Sequence, residues 1–327
     1  MSIRVWYVYL FILGTLIGLV GCAEKTVKKE NLEPSMENNG QNVDEKEKEK
    51  KKTVILNILE PNTKEVLRTF LPVNMGFGLD DEAYEQEVKK LVRDLARGTD
   101  TVPGYDKRMI LDKVDNNGQV IKGSPMTVLD ESELVEKIMQ ASVNGGNVEL
   151  PLYVIASGYK AGDEAALHEE LLASYTTYFN PSVAGRKKNI ELSAESINNI
   201  IVGNEDYFSF NTTVGKRTVE NGYQPAPEAL NGELVMGIGG GICQTSSTLF
   251  NAVDQLQVEY IEKHHHSVTV GYVPEGRDAT VSDGGLDFRF QNTTGVPFLI
   301  KTVVTGGAIT VEVRTSTEYA SILKKSI

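Results

Sequence analysis

The sequence predicts an α+β protein in two regions, and three patterns carry that expectation. Between residues 53 and 160, paired strand-like segments followed by an amphipathic helix occur twice, which describes a small repeated α+β module. Residues 237–253, GIGGGICQTSSTLFNAV, run a glycine loop straight into a helix-like segment carrying Cys243. Beyond that segment the chain alternates in strand fashion, so the cysteine-bearing helix is expected to pack on an antiparallel sheet.

At the N-terminus, Arg4 precedes an apolar run, Val5–Val20, that ends at Gly21 and Cys22. A charged start and an apolar core closing on small residues have the form of an export signal. Leu19-Val20-Gly21-Cys22 resembles the lipobox of bacterial lipoproteins, which implies cleavage before Cys22 and a lipid on its thiol. Residues 1–21 are thus expected to be a lipoprotein signal peptide; an uncleaved membrane anchor is the alternative. Residues 22–52 are poor in apolar side chains and end in DEKEKEKKK, so they read as a disordered tether. Its random-coil reach is roughly 30 Å. Either route puts the remainder outside the cytoplasmic membrane, anchored to its outer face.

In the first folded region, TVILNIL (53–59) and VLRTFLPV (66–73) read as strands around Pro61-Asn62, and Asp80-Asp81 opens a helix through about Ala96. The second pass runs from KRMILDKVD through the turn at Asn116–Gly118 to QVIKG. Asp130 and Glu133 then form a capping-box pattern for a helix ending near Gly145-Gly146, and NVELPLYVI returns as a strand. The module holds no histidine and no cysteine, so binding or spacing suits it better than catalysis.

From 161 to 317 the texture changes. HEELLASYTTYF (168–179) is read as helix, Ser193 as the cap of a short helix, and 207–230 as loop-rich chain. After the cysteine helix come four expected strands, HSVTVGYV, GLDFRFQN, VPFLIKTVV and AITVEVRT. Residues 318–327 are left as a tail.

A net charge of −12 and a pI near 5.0 exclude the basic footprint that nucleic acid requires. No cofactor-binding motif is read. With Cys22 expected to be lipidated, Cys243 lacks a disulfide partner, and a lone thiol in an exported chain is a candidate reactive group. At a helix start, unsatisfied amides and the helix dipole favour thiolate. The preceding glycines, Gly239, Gly240 and Gly241, let backbone amides approach a developing oxyanion.

Three of the four histidines are consecutive, His264, His265 and His266. On a strand His264 and His266 would share one face, and either imidazole could take the thiol proton. Asp278, Asp283 and Asp287 follow as candidates to orient the ring, with Asp278 and Asp287 preferred. Gln244, Ser246 and Arg277 join the glycines as candidate substrate contacts. Two other readings stay open. Cys243, His264, His266 and Asp278 could chelate a metal, or the histidines and thiol could be purely structural. Likewise Tyr175, Tyr178, Phe179, Tyr207, Phe208 and Phe210 would line a groove or fill a core.

LLASYTTYFNPS, Arg186 with NI, FSFN, VGKRTVENGY, GGGICQTSSTLFNA, HHHS, YVPEGRDATV and GGLDFRFQN, in that order over about 130 residues, are similar to the VanW-like family. Where that family tends to have a Pro-Gly-Glu turn before FSFN, this chain has VGNEDY, and the middle of its His-x-His element is here a third histidine. The resemblance implies a location, the Gram-positive cell envelope, with peptidoglycan or its stem peptides as partner. It implies no reaction. Residues 53–160 are placed like the upstream module that the family's members often carry and that is taken to bind peptidoglycan. The cysteine and histidines extend this to an amide hydrolase or transpeptidase on stem peptides, against a non-catalytic wall-binding accessory protein.

Overall fold

Asp80 accepts a hydrogen bond from the amide of Ala83 (3.0 Å) and Asp130 one from Glu133 (2.9 Å), so both helices of the N-terminal region start where the sequence signals them. The computed structural model describes residues 53–230 and 233–326; the expected signal, Cys22 and the tether lie outside the described residues. Strand β1 (Leu56–Leu59) pairs antiparallel with β2 (Val66–Phe70). Helix α1 (Asp81–Arg97) follows, then the short strands β3 (Lys113–Val114) and β4 (Val120–Ile121) and strand β5 (Met126–Leu129). Helix α2 (Glu131–Ala141) precedes β6 (Gly146–Glu149), parallel to β1, and β7 (Leu152–Ile155), antiparallel to β5. The capping box is only half formed, because the Glu133 carboxylate goes to Tyr153 (2.6 Å) and Lys137 (2.7 Å). Leu56, Ile58, Tyr84, Val88, Val92, Leu134 and Ile138 close a core of their own.

The next elements are β8 (Glu170–Tyr178), α3 (Ala184–Ile197), β9 (Ile200–Val202), β10 (Tyr207–Ser209) and α4 (Phe210–Val214). The hairpin β11 (Pro225–Leu230) and β12 (Glu233–Ile238) leads into α5 (Ile242–Val253). Strands β13 (Glu259–Glu262), β14 (Arg289–Gln291), β15 (Phe298–Thr305) and β16 (Ala308–Thr315) and helix α6 (Thr317–Ser326) complete the described chain. An antiparallel six-stranded sheet in the order β4-β3-β9-β15-β16-β8 carries α3 and α5. The expected α+β class, with the cysteine-bearing helix on an antiparallel sheet, is what forms.

Several elements differ from expectation. Residues 168–179 are strand: Tyr175, Thr176, Thr177 and Tyr178 favour a pleated surface, and β8 pairs with β16 along its length. Ser193 lies inside α3, where its hydroxyl bonds the Asn189 carbonyl (2.9 Å) and Thr245 (2.7 Å). HSVTVGYV has no strand partner and runs as loop. The expected tail, 318–327, lies almost wholly in α6 (Thr317–Ser326). Strands β3 and β4 lie before residue 160 yet sit in the sheet of the second region, where Met109 and Leu111 join its core. Phe208 and Phe210 are buried in that core and Phe208 stacks on Phe290, whereas Tyr178 stands exposed. Among the described residues no helix is long and apolar enough to cross a membrane.

Candidate active site

Between β12 and α5 the backbone turns through Gly239 (φ 96°) and Gly241 (φ 112°), a region costly for side-chain-bearing residues. At Gly240 a Cβ would fall 2.4 Å from the Ala226 carbonyl oxygen. Gly241 therefore caps α5 with no side chain of its own, and Cys243 sits in the first turn.

Helix α5 buries Gln244, Thr245, Ser246, Ser247, Thr248 and Asn251, and each is hydrogen-bonded. Toward the sheet, Gln244 donates to Thr177 (3.0 Å) and to the Tyr178 carbonyl (3.0 Å). On the other flank Ser246 donates to the Ala279 carbonyl (2.5 Å), Ser247 accepts from the Ala279 amide (2.9 Å), and Asn251 donates to the Arg277 carbonyl (2.7 Å). These bonds lash residues 277–281 alongside the helix. Cys243 Sγ then lies 3.3 Å from the Val281 carbonyl oxygen and 3.7 Å from Thr280 Oγ1.

The same segment presents Asp278, buried, to two histidines. Asp278 accepts from the His266 amide (2.7 Å), from His266 Nδ1 (2.6 Å) and from His265 Nδ1 (2.8 Å). An ionised carboxylate only accepts, so Nδ1 of His266 carries the proton and Nε2 is left as the basic nitrogen. Burial pushes the Asp278 carboxyl up, but the His266 amide and the two imidazoles bring it down to about 2. Burial alone would also raise the Cys243 thiol; the His266 ring, the Val281 backbone, the imidazolium charge and Thr280 outweigh it and hold the thiol below its ordinary value. His266 is desolvated too, yet Cys243 and Asp278 together raise its pKa. The His266 ring thus links the Asp278 carboxylate to the neighbourhood of Cys243, and the two shifts run toward each other, the thiol's down and the imidazole's up.

Of the expected site residues, Cys243, His266 and Asp278 come together. His264 does not: its Nε2 pairs with Glu262 (3.0 Å), because the triplet leaves β13 as loop and strand alternation does not apply. Asp287 is instead buried against Arg108 (2.9 Å), Ser209 (2.6 Å) and the Asn211 amide (2.9 Å). Asp283 accepts from the Arg217 amide (3.2 Å). Arg277 bonds Asn251 (2.7 Å) and Asp254 (2.8 Å) and covers Phe250, so its partner is internal. Gln244 and Ser246 are buried and hold the scaffold. Among the described residues no cluster of three or more histidine, cysteine or acidic side chains could hold a metal ion. The sequence sets His265, which shares Asp278, on the opposite face, and it assigns no site role to Arg186, Arg217 and Tyr272, which interact electrostatically with Cys243. These lie far apart in the chain, so no local spacing marks them. Beside His265, His266 and Asp278 opens a cavity of about 270 Å³, walled by Val268, Val270 and Pro274.

A thiol on a helix start, with an imidazole and its carboxylate on a following loop, is a candidate nucleophile–base arrangement on an α+β scaffold. Residues 185–314 match the family of VanW like protein. The chain is 40% identical to the uncharacterized protein YoaR of Bacillus subtilis over 214 residues, 65% of this chain and 71% of that one. It is 29% identical over 117 residues to the vancomycin B-type resistance protein VanW of Enterococcus faecalis, covering 34% of this chain and 42% of that relative. No solved structure matches the chain. It belongs to the VanW-like family.

Proposed function

We propose that this is a lipid-anchored cell-envelope protein whose Cys243 centre transfers or hydrolyses acyl groups of peptidoglycan stem peptides. The observation that carries the reading is the bond from His266 Nδ1 to Asp278, which turns the other imidazole nitrogen into a base for Cys243. The resistance relative's name supports the envelope as workplace. Thiolate attack on an amide carbonyl forms an S–C bond and breaks the C–N bond. His266 gives its proton to the departing amine, and water or a second amine resolves the acyl-enzyme. His265 steadies Asp278 from its other oxygen.

The test follows thiol chemistry and turnover together. Iodoacetamide should label Cys243 at a pH below that of an ordinary thiol, and His266→Ala should slow labelling at neutral pH about a hundredfold. Purified muropeptides should be processed by the full chain and left intact by Cys243→Ser. Labelling with ordinary thiol pH dependence would refute the dyad. Rapid labelling with no muropeptide change in either protein would favour a wall-binding role for the same fold.

A further inference from the structure

Two arginines flank the glycine loop, and among the described residues neither guanidinium forms an ion pair. The side chain of Arg186 packs on Gly241, where a Cβ would meet its Cγ at 2.9 Å, and that of Arg217 packs beside Gly239. Arg186 donates to Gln244 Oε1 (2.7 Å) and lies over the Tyr272 ring; Arg217 donates to Asn211 Oδ1 and lies over Phe210. Both acceptors are neutral. By contrast, Arg97, Arg108, Arg277, Arg289 and Arg314 each reach a carboxylate. The carboxylates facing Arg217 are already engaged, Asp283 by its backbone amide and Asp287 by Arg108 and Ser209.

Donor capacity is also left over. Arg217 is 8% exposed, and its buried Nε has no hydrogen-bond partner. The buried hydroxyl of Tyr272 makes no well-formed hydrogen bond among the described residues; Ser247, which approaches it, also serves the Cys243 carbonyl and the Ala279 amide. A buried guanidinium with a free donor is costly unless an anion completes it. What stays open beside the thiol is therefore donor capacity, the Arg217 Nε above all, and it can receive the oxygens of a bound anion.

We infer that Arg217, Arg186 and Tyr272 form a carboxylate subsite beside Cys243, so that the bond attacked is the amide to a terminal amino acid bearing a free carboxylate. This rests on Cys243 being the reactive thiol of the proposed function. The thiolate adds to the carbonyl carbon, the C–N bond breaks, and the amine leaves with the His266 proton as a free amino acid. Its carboxylate stays paired with the guanidinium groups until release. A neutral carboxamide at that position would leave the arginines unpaired, which makes the subsite selective for exopeptide bonds.

Two alkylating reagents test the subsite without any knowledge of the substrate. Iodoacetate and iodoacetamide both transfer carbon to the thiolate and expel iodide, and only the first is an anion. Rates at Cys243 are followed by peptide mass in the full chain, folded and unfolded in urea. Because both reagents consume the same thiolate, their ratio cancels changes in thiol pKa. The folded-to-unfolded ratio should favour iodoacetate by at least about tenfold, the effect of one well-placed charged hydrogen bond. Arg217→Gln and Tyr272→Phe should each lower it, and Arg217→Lys should recover part of it. Tyr272→Phe removes a single hydroxyl that makes no well-formed hydrogen bond, so the test stands even if Arg217→Gln fails to fold. D-Alanine should protect Cys243 better than its amide at equal concentration. A ratio equal to that of the unfolded chain, or unmoved in Tyr272→Phe and Arg217→Gln alike, overturns the subsite while a fast iodoacetamide reaction keeps the nucleophile. Iodoacetamide no faster than with the unfolded chain overturns both.

Discussion

Helices α1 and α5 are both held against their own cores, yet they are held by different forces. Helix α1 buries Tyr84, Val88, Val92 and Ala96 at four-residue steps and turns acidic and basic residues to solvent, the ordinary amphipathic arrangement. Helix α5 is buried on nearly every side, and most of what it buries is polar. Apolar packing is directionless and forgives small shifts. A satisfied polar network fixes position, since each displaced member leaves a buried group unpaired. The N-terminal region is thus built for stability, whereas α5 is built to hold residues 277–281, and with them Asp278, in register with Cys243.

The largest effect should appear where the apolar core is cut. Ile138→Ala, at a fully buried position on α2, should cost about 3 kcal/mol in denaturant unfolding. Alkylation of Cys243 in the folded protein should not change. A changed alkylation rate would mean that the two cores are coupled more tightly than their separate side-chain clusters suggest.

Ser247→Ala should cost less and reach further. It leaves the Ala279 amide and the Cys243 carbonyl without this hydroxyl, a loss of about 2 kcal/mol for buried groups. It also frees the loop segment that positions Asp278 and Thr280, so alkylation of Cys243 should slow. Unaltered thiol reactivity alongside lost stability would make the network a mere stabiliser.

Acid should separate the two regions again. The Asp278 carboxyl is held at about 2, below the ordinary 3.8. A depressed pKa stabilises the fold above the unfolded value, and that contribution disappears as pH falls from about 4 through 2, roughly 2 kcal/mol in all. His266, whose pKa is raised, works in the opposite sense: its share is present below 6.5 and fades as pH rises through the raised value. Asp278→Asn should flatten the acid limb of stability, measured by denaturant midpoints between pH 2 and 5. An unchanged slope would show that other carboxylates govern acid unfolding.

The split between legible and illegible features follows the same physics. Asp80 and Asp130 announced their helices because capping is local, and the glycine loop announced α5 because its backbone conformation is. Residues 168–179 were misread because Leu171, Leu172, Tyr175 and Phe179 fit helical spacing, and only pairing with β16 decides for strand. At the site, Cys243, His266 and Asp278 were visible as residue types in chain order. Which histidine turns inward was not, since that depends on residues 266–273 lacking a strand partner. The role of Arg186 and Arg217 is illegible for a related reason: what distinguishes them is that their guanidinium groups bond only neutral acceptors, and that has no sequence pattern.

The smallest effect concerns the one hydrogen-bonded side-chain pair in the core around α1. Tyr84 and Ser142 share a hydrogen bond of 2.6 Å, and Ser142 also donates to the Ile138 carbonyl (2.7 Å). Because the serine hydroxyl has that second acceptor, Tyr84→Phe removes one bond without orphaning its partner, so the cost should be about 1 kcal/mol. Cys243 alkylation should be untouched. The contrast with Ser247→Ala is then direct: each substitution deletes a single buried hydroxyl, but only the one on α5 lies between the nucleophile and the carboxylate that orients its base. Equal losses of stability, with equal silence at Cys243, would erase the distinction between the two helices.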